Sequence, residues 1–320
     1  LISIFRNNTP LAIGLLLLLA IVPEINPHPS ASMLNNSQHT IIWNWIYTFS
    51  EWINFNTSFL GILIRVSVTL ICALYVNKIV TDHKLMEKPG YLPAMWFLLL
   101  QSLIPKQVSL DILLMNVFMI ASVKLMILVY KLEKPINSLL TASFMLSLIA
   151  LINATSVIYF LWLSAALLIM RPASFREWIM VLTGYLLPIY LLTSILYLAN
   201  RLDFSLIFSF QKIEFGLPVL SPIEWIHIAI VWLTPWLFFM LSANQISKLL
   251  IQGRKTFIIC LLLSIVVSSL IVSNLTSVSQ NMHLSLLPAT LLISPLFINV
   301  RKKLLPNLFI LILLVLSQLR

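Results

Sequence analysis

Apolar residues recur along the whole chain in long runs, broken by short clusters of charge, proline, asparagine or glycine. Reading each run between such breaks as a helix predicts eleven spans. They fall at about 10–24, 57–78, 91–105, 108–130, 137–153, 155–170, 177–199, 223–243, 256–276, 284–299 and 304–319. Several are short for a full crossing, so tilted pairs or half-spans fit them as well. One segment differs. "TIIWNWIYTFSEWIN" (40–54) sets Thr40, Asn44, Thr48, Glu51 and Asn54 on one narrow helical stripe, with Trp43, Trp45, Ile46, Phe49, Trp52 and Ile53 around the rest. That pattern predicts an amphipathic helix in the membrane interface, with Trp43, Trp45 and Trp52 at headgroup depth.

Composition fixes the class. Apolar residues make up 60% of the 320 positions and charged residues 9%, where a soluble domain carries about a quarter charged. Only helices and closed barrels satisfy their backbones in lipid, and these runs are too long for barrel strands. The expected fold is therefore all-α, a polytopic transmembrane bundle, organised as a single membrane domain over 1–320. The net charge of +10 would suggest a nucleic-acid partner in a soluble chain. Here its distribution suggests topology instead, and no nucleic acid is expected.

With the N-terminus in the cytoplasm, fourteen Lys and Arg fall on the inner side: Arg6, Lys78, Lys84, Lys88, Lys131, Lys134, Arg171, Arg176, Lys248, Arg254, Lys255, Arg301, Lys302 and Lys303. Four fall outside, namely Lys106, Arg201, Lys212 and Arg320, while Arg65 and Lys124 lie within spans. Positive residues favour the cytoplasmic side, so this bias sets the orientation. The opening segment, with Arg6, an apolar core and "SAS" at 30–32, has the look of a signal peptide and is read as an uncleaved first span. The first outer loop, about 25–56, contains no Lys or Arg; the second, about 200–222, carries Arg201, Asp203, Lys212 and Glu214.

Most charges have structural explanations. "SFRE" (174–177) and "SPIE" (221–224) fit capping boxes, which assigns Glu177 and Glu224 to helix starts. Three residues stand apart. Glu24 ends the first span among Pro23, Pro27 and Pro29, where the helix dipole disfavours an anion. Asp111 opens the fourth span on the same outer side, either complementing that helix's N-terminal dipole or serving a site. Arg65 lies about eight residues inside the second span and must meet an acid, a backbone cluster or a wet cavity. His28, His39, His227 and His283 are scattered without metal-ligand spacing, so no metal site is expected. Cys72 and Cys260 each sit in an apolar run and read as packing residues. No P-loop, nucleophile elbow or dinucleotide fingerprint is present.

The stretches "FRNNTPLAI" (5–13), "YLPAMWFLLLQSLIP" (91–105), "MNVFMIASVKLMILVYK" (115–131) and "LLIMRPASFREWIMVLTGYLLPIYLL" (167–192) resemble an uncharacterised family of polytopic inner-membrane proteins of the Bacteroidetes. That resemblance covers about the first 200 residues. It implies a bacterial cytoplasmic (inner) membrane and supplies no activity. In architecture the chain also resembles the GT-C superfamily of membrane glycosyltransferases, with a GT-C-like core over 1–200 and additional spans over 201–320.

The GT-C resemblance implies a polyprenyl-phosphate sugar as donor and catalytic carboxylates at Glu24 and Asp111. Arg65, Arg201, Lys212 and His28 would be the substrate-contacting residues. One carboxylate would take a proton from an acceptor hydroxyl and the other would position the acceptor or a divalent cation, with Arg stabilising the phosphate leaving group. In this chain a single Glu beside Pro stands where that superfamily has an acid pair. Two functions are therefore carried forward. The first is a polyprenyl-phosphate-dependent glycosyltransferase or related lipid-linked envelope enzyme. The second is a non-catalytic membrane subunit or scaffold of a cell-envelope export or assembly machine, partnered by other membrane proteins of that complex.

Overall fold

The computed structural model describes residues 2–6, 10–25, 40–83, 85–86, 90–104, 108–200, 222–246, 249–273, 278–294 and 304–318. All regular structure among them is helical. The helices are α1 (Ile2–Arg6), α2 (Pro10–Ile25), α3 (Ile41–Trp52), α4 (Phe59–Asp82), α5 (Leu92–Ser102), α6 (Leu110–Val129) and α7 (Ile136–Ile152). A 3₁₀ turn (Ala154–Ile158) leads into α8 (Tyr159–Met170). There follow α9 (Phe175–Leu198), α10 (Pro222–Ile246), α11 (Ile251–Ser273), α12 (Val278–Ile293) and α13 (Leu304–Gln318).

Each apolar run overlaps one of these helices over its described residues. Among the described residues four stretches are long and apolar enough to cross a membrane: α4, α6, α9 and Ile251–Ile271 within α11. α10 has 25 residues, whereas α5 has only 11, about 16 Å at 1.5 Å per residue, against the 20 or so residues a crossing needs. The helical, apolar character makes this a membrane protein in contact with lipid. Local sequence sets several ends. The Ser174 N–H donates to Glu177 Oε2 at 3.0 Å, closing the capping box that "SFRE" predicts. At Pro23 the helix does not stop: α2 runs through it to Ile25, because a proline in the last turn removes only one internal hydrogen bond.

The chain divides into two compact units. The first comprises residues 1–31, 62–108 and 215–320. Its core is α12, in which every residue from Asn281 to Ile293 is buried; α12 packs on α5, α10 and α11. α5 is likewise buried on all sides, the expected state of a helix that is apolar all round. The Tyr91 N–H donates to the Phe5 carbonyl at 2.7 Å, which ties α1 to the start of α5. His83, just past the end of α4, meets Gln252 at the start of α11 (Nδ1 to Nε2, 3.2 Å).

The second unit comprises residues 32–61 and 109–214, with α7 between α6 and α9. The α7–α9 contact is close enough to need glycine: a Cβ on Gly184 would strike the Ser143 hydroxyl and the Leu140 carbonyl oxygen, the latter 2.5 Å away. Where α3 turns into α4, Asn54 takes a left-handed φ of 52°. A Cβ on Gly61 would collide there with the Phe55 carbonyl.

Candidate functional site

Glu24 and Arg65 come together in the first unit. Both Arg65 Nε and Nη2 donate to the same carboxylate oxygen, Glu24 Oε2, at 2.9 and 2.7 Å. The side chains are 1% and 9% exposed. The arrangement answers two local difficulties at once. An anion at a helix C-terminus is opposed by the dipole, and an arginine within a span needs a counter-charge; each supplies what the other lacks. Chemically, charge-assisted bonds of this length pin two helices, α2 and α4, that the chain separates by 41 residues.

Asp111 lies in the second unit and is 6% exposed. As the second residue of α6 it places its carboxylate beside its own backbone N–H and that of Ile112, where an anion complements a helix N-terminus. The Trp43 indole N–H is directed at the same carboxylate from α3. Ser109 precedes the helix with its hydroxyl near the acid but in no hydrogen bond of normal geometry.

The three interface tryptophans separate. Trp43 turns to the protein, stacked on Tyr47 with ring centroids 5.1 Å apart, while Trp45 and Trp52 are 53% and 80% exposed. Thr40, on the polar stripe of the sequence pattern, is buried: it caps α3 by accepting from the Trp43 N–H and donates to the Ile152 carbonyl at 3.1 Å. Glu51 accepts from the Tyr47 hydroxyl, and that hydrogen bond, with the carboxylate's charge, holds the phenol above its ordinary pKa. His28, Arg201 and Lys212 lie outside the described residues, as does the side chain of Glu224.

Among the described residues no group of three or more His, Cys, Asp or Glu side chains is gathered as a metal site. His227 Nε2 meets the Leu316 carbonyl at 3.0 Å, and both His283 ring nitrogens are buried without a hydrogen bond. Cys72 and Cys260 are buried free thiols. The signal that sequence reasoning missed is the inward role of Trp43. A tryptophan on an amphipathic helix fits a headgroup layer and a buried carboxylate equally well.

No family model, no curated protein and no solved structure matches this chain.

Proposed function

We propose that this protein is a non-catalytic membrane subunit or scaffold of a cell-envelope export or assembly machine. In this reading it crosses a bacterial inner membrane about eleven times, with its N-terminus in the cytoplasm and its first seven spans in a GT-C-like arrangement. The orientation is supported by the excess of Lys and Arg in alternate loops. The observation that carries the functional reading is the Glu24–Arg65 pair. A general base needs an open approach and a free lone pair. Glu24 is almost buried and gives one oxygen to two guanidinium donors. Asp111 is buried too, its carboxylate beside its own helix start and the Trp43 indole.

One observation favours the second reading, a polyprenyl-phosphate-dependent glycosyltransferase. An aromatic residue of α3 reaches a carboxylate at the mouth of a span, a pairing of ring and acid that suits a sugar. In that reading Glu24 and Asp111 are the catalytic acids and Arg65 leaves Glu24 to meet the donor phosphate, with a divalent cation as cofactor.

The test uses the purified chain in nanodiscs, supplied with polyprenyl-phosphate hexoses and a divalent cation. The scaffold reading expects no release of polyprenyl phosphate above a protein-free control. Release that Asp111→Asn and Glu24→Gln both abolish, with the variants still folded by size exclusion, would replace it with the enzyme.

A further inference from the structure

α3 lies across one end of the second unit. Its capping Thr40 donates to Ile152 at the end of α7. Ile41 and Ile42 pack on Leu151, Leu192 and Leu196, at the ends of α7 and α9. Trp43 reaches Asp111 at the start of α6. α6 and α9 are both long and apolar enough to cross a membrane, so a helix packed across their shared end sits at the depth where crossings finish. The next crossing helix, α4, begins at Phe59, seven residues after Trp52, and Phe59 and Leu60 are 77% and 62% exposed.

What α3 turns away from the protein is aromatic. Trp45, Phe49 and Trp52 share one exposed face, and the rings of Phe49 and Trp52 stack with centroids 6.1 Å apart. Asn44, Thr48 and Glu51 form the adjoining exposed strip. Between Glu24 and Arg65 the sequence holds one acid, Glu51, and no Lys or Arg. Surface helices that read anionic lipid do so with basic residues, each contributing about 1 kcal/mol; here there are none. Tryptophan faces and a carboxylate instead suit an ammonium group.

We infer that the Trp45–Phe49–Trp52 face of α3 docks into the headgroup layer of a zwitterionic leaflet, its rings and Glu51 facing the ammonium of ethanolamine- or choline-type phospholipids. Trp43 is excluded from this surface and holds the helix to the bundle. The inference is independent of whether the protein is a scaffold or an enzyme.

Spin labels test it on the full chain in liposomes. Trp45→Cys, Trp52→Cys and Asn44→Cys are labelled one at a time in a Cys72→Ala/Cys260→Ala background. All three positions are exposed; the label at 52 replaces one ring of the Phe49–Trp52 stack and leaves Thr40, Ile41 and Ile42 on α7 and α9. In phosphatidylethanolamine/phosphatidylcholine liposomes, labels at 45 and 52 should favour oxygen over a water-soluble nickel chelate, at a depth of about 5–10 Å. The label at 44 should show the reverse. Replacing a third of the lipid by phosphatidylglycerol should leave labels 45 and 52 at the same depth or shallower. Water-like accessibility at 45 and 52 would overturn the inference. So would spin–spin broadening between copies, which would make the face a self-association surface, and so would deeper insertion with phosphatidylglycerol.

Discussion

Arg65→Met leaves Glu24 almost buried with its guanidinium partner gone, and Glu24→Leu takes the carboxylate away from the buried Arg65. In the intact pair the contacts are 2.7 and 2.9 Å. Charges about 4 Å apart attract by about 4 kcal/mol at an effective dielectric of about 20. Withdrawing both groups from water offsets most of that gain, so the pair as a whole contributes little net stability. Removing one partner is a different matter, because the desolvation cost of the other remains without compensation. Each single substitution should therefore cost about 3–5 kcal/mol, whereas the double variant Glu24→Leu/Arg65→Met should lie within about 1 kcal/mol of the parent. The assay is a double-mutant cycle on the protein in mixed micelles, with unfolding by SDS followed by tryptophan fluorescence. High salt should change the result little, since buried pairs are weakly screened. Single variants each costing under about 1 kcal/mol and adding within about 0.5 kcal/mol in the double would refute the reasoning.

The α7–α9 contact gives a steric prediction: Gly184→Val should push the helices apart and lower stability by about 1–3 kcal/mol or more, read in the same unfolding assay. Trp43→Phe should cost about 1–3 kcal/mol by leaving the Asp111 carboxylate short of a donor, whereas Trp52→Phe, at an 80% exposed position, should stay within about 0.5 kcal/mol. Glu177→Ala removes the cap on α9 and the 3.4 Å contact to Arg171, and should cost about 1 kcal/mol. Tyr47 provides a pH prediction. Its neutral form is favoured by Glu51, so that contribution is present below the ordinary value near 10 and is lost as pH rises through the higher folded value. In 295 nm absorbance titrations, Glu51→Gln should move the Tyr47 component, identified by subtracting Tyr47→Phe, downward toward the ordinary range.

Much of the architecture is written in local pattern. Apolar runs become helices because a helix alone satisfies its backbone without neighbours, and a capping box acts across three residues. Ser174 and Glu177 close as their spacing implies, and α3 (Ile41–Trp52) fills the amphipathic segment read at 40–54. The burial of Cys72 and Cys260 follows from the runs that contain them. Hydropathy is less informative about crossing: it marks α5 and α4 alike, although one has 11 residues and the other 24.

Partner identity was settled at the tertiary level. That Arg65 needs an acid is plain from its place inside a span, but its acid is Glu24, on another helix and 41 residues away. Nothing in either local pattern names the other. In the same way, periodicity puts Trp43, Trp45 and Trp52 on one amphipathic helix, and each has a ring that tolerates lipid and an N–H that wants an acceptor. Only the start of α6, arriving with Asp111, draws Trp43 inward and leaves the other two exposed. The sequence thus determined which segments are helices and where charge is tolerable. Packing decided which charges cancel and which aromatic face remains open, because those choices depend on groups distant in the chain that only the assembled helices bring within a few ångströms.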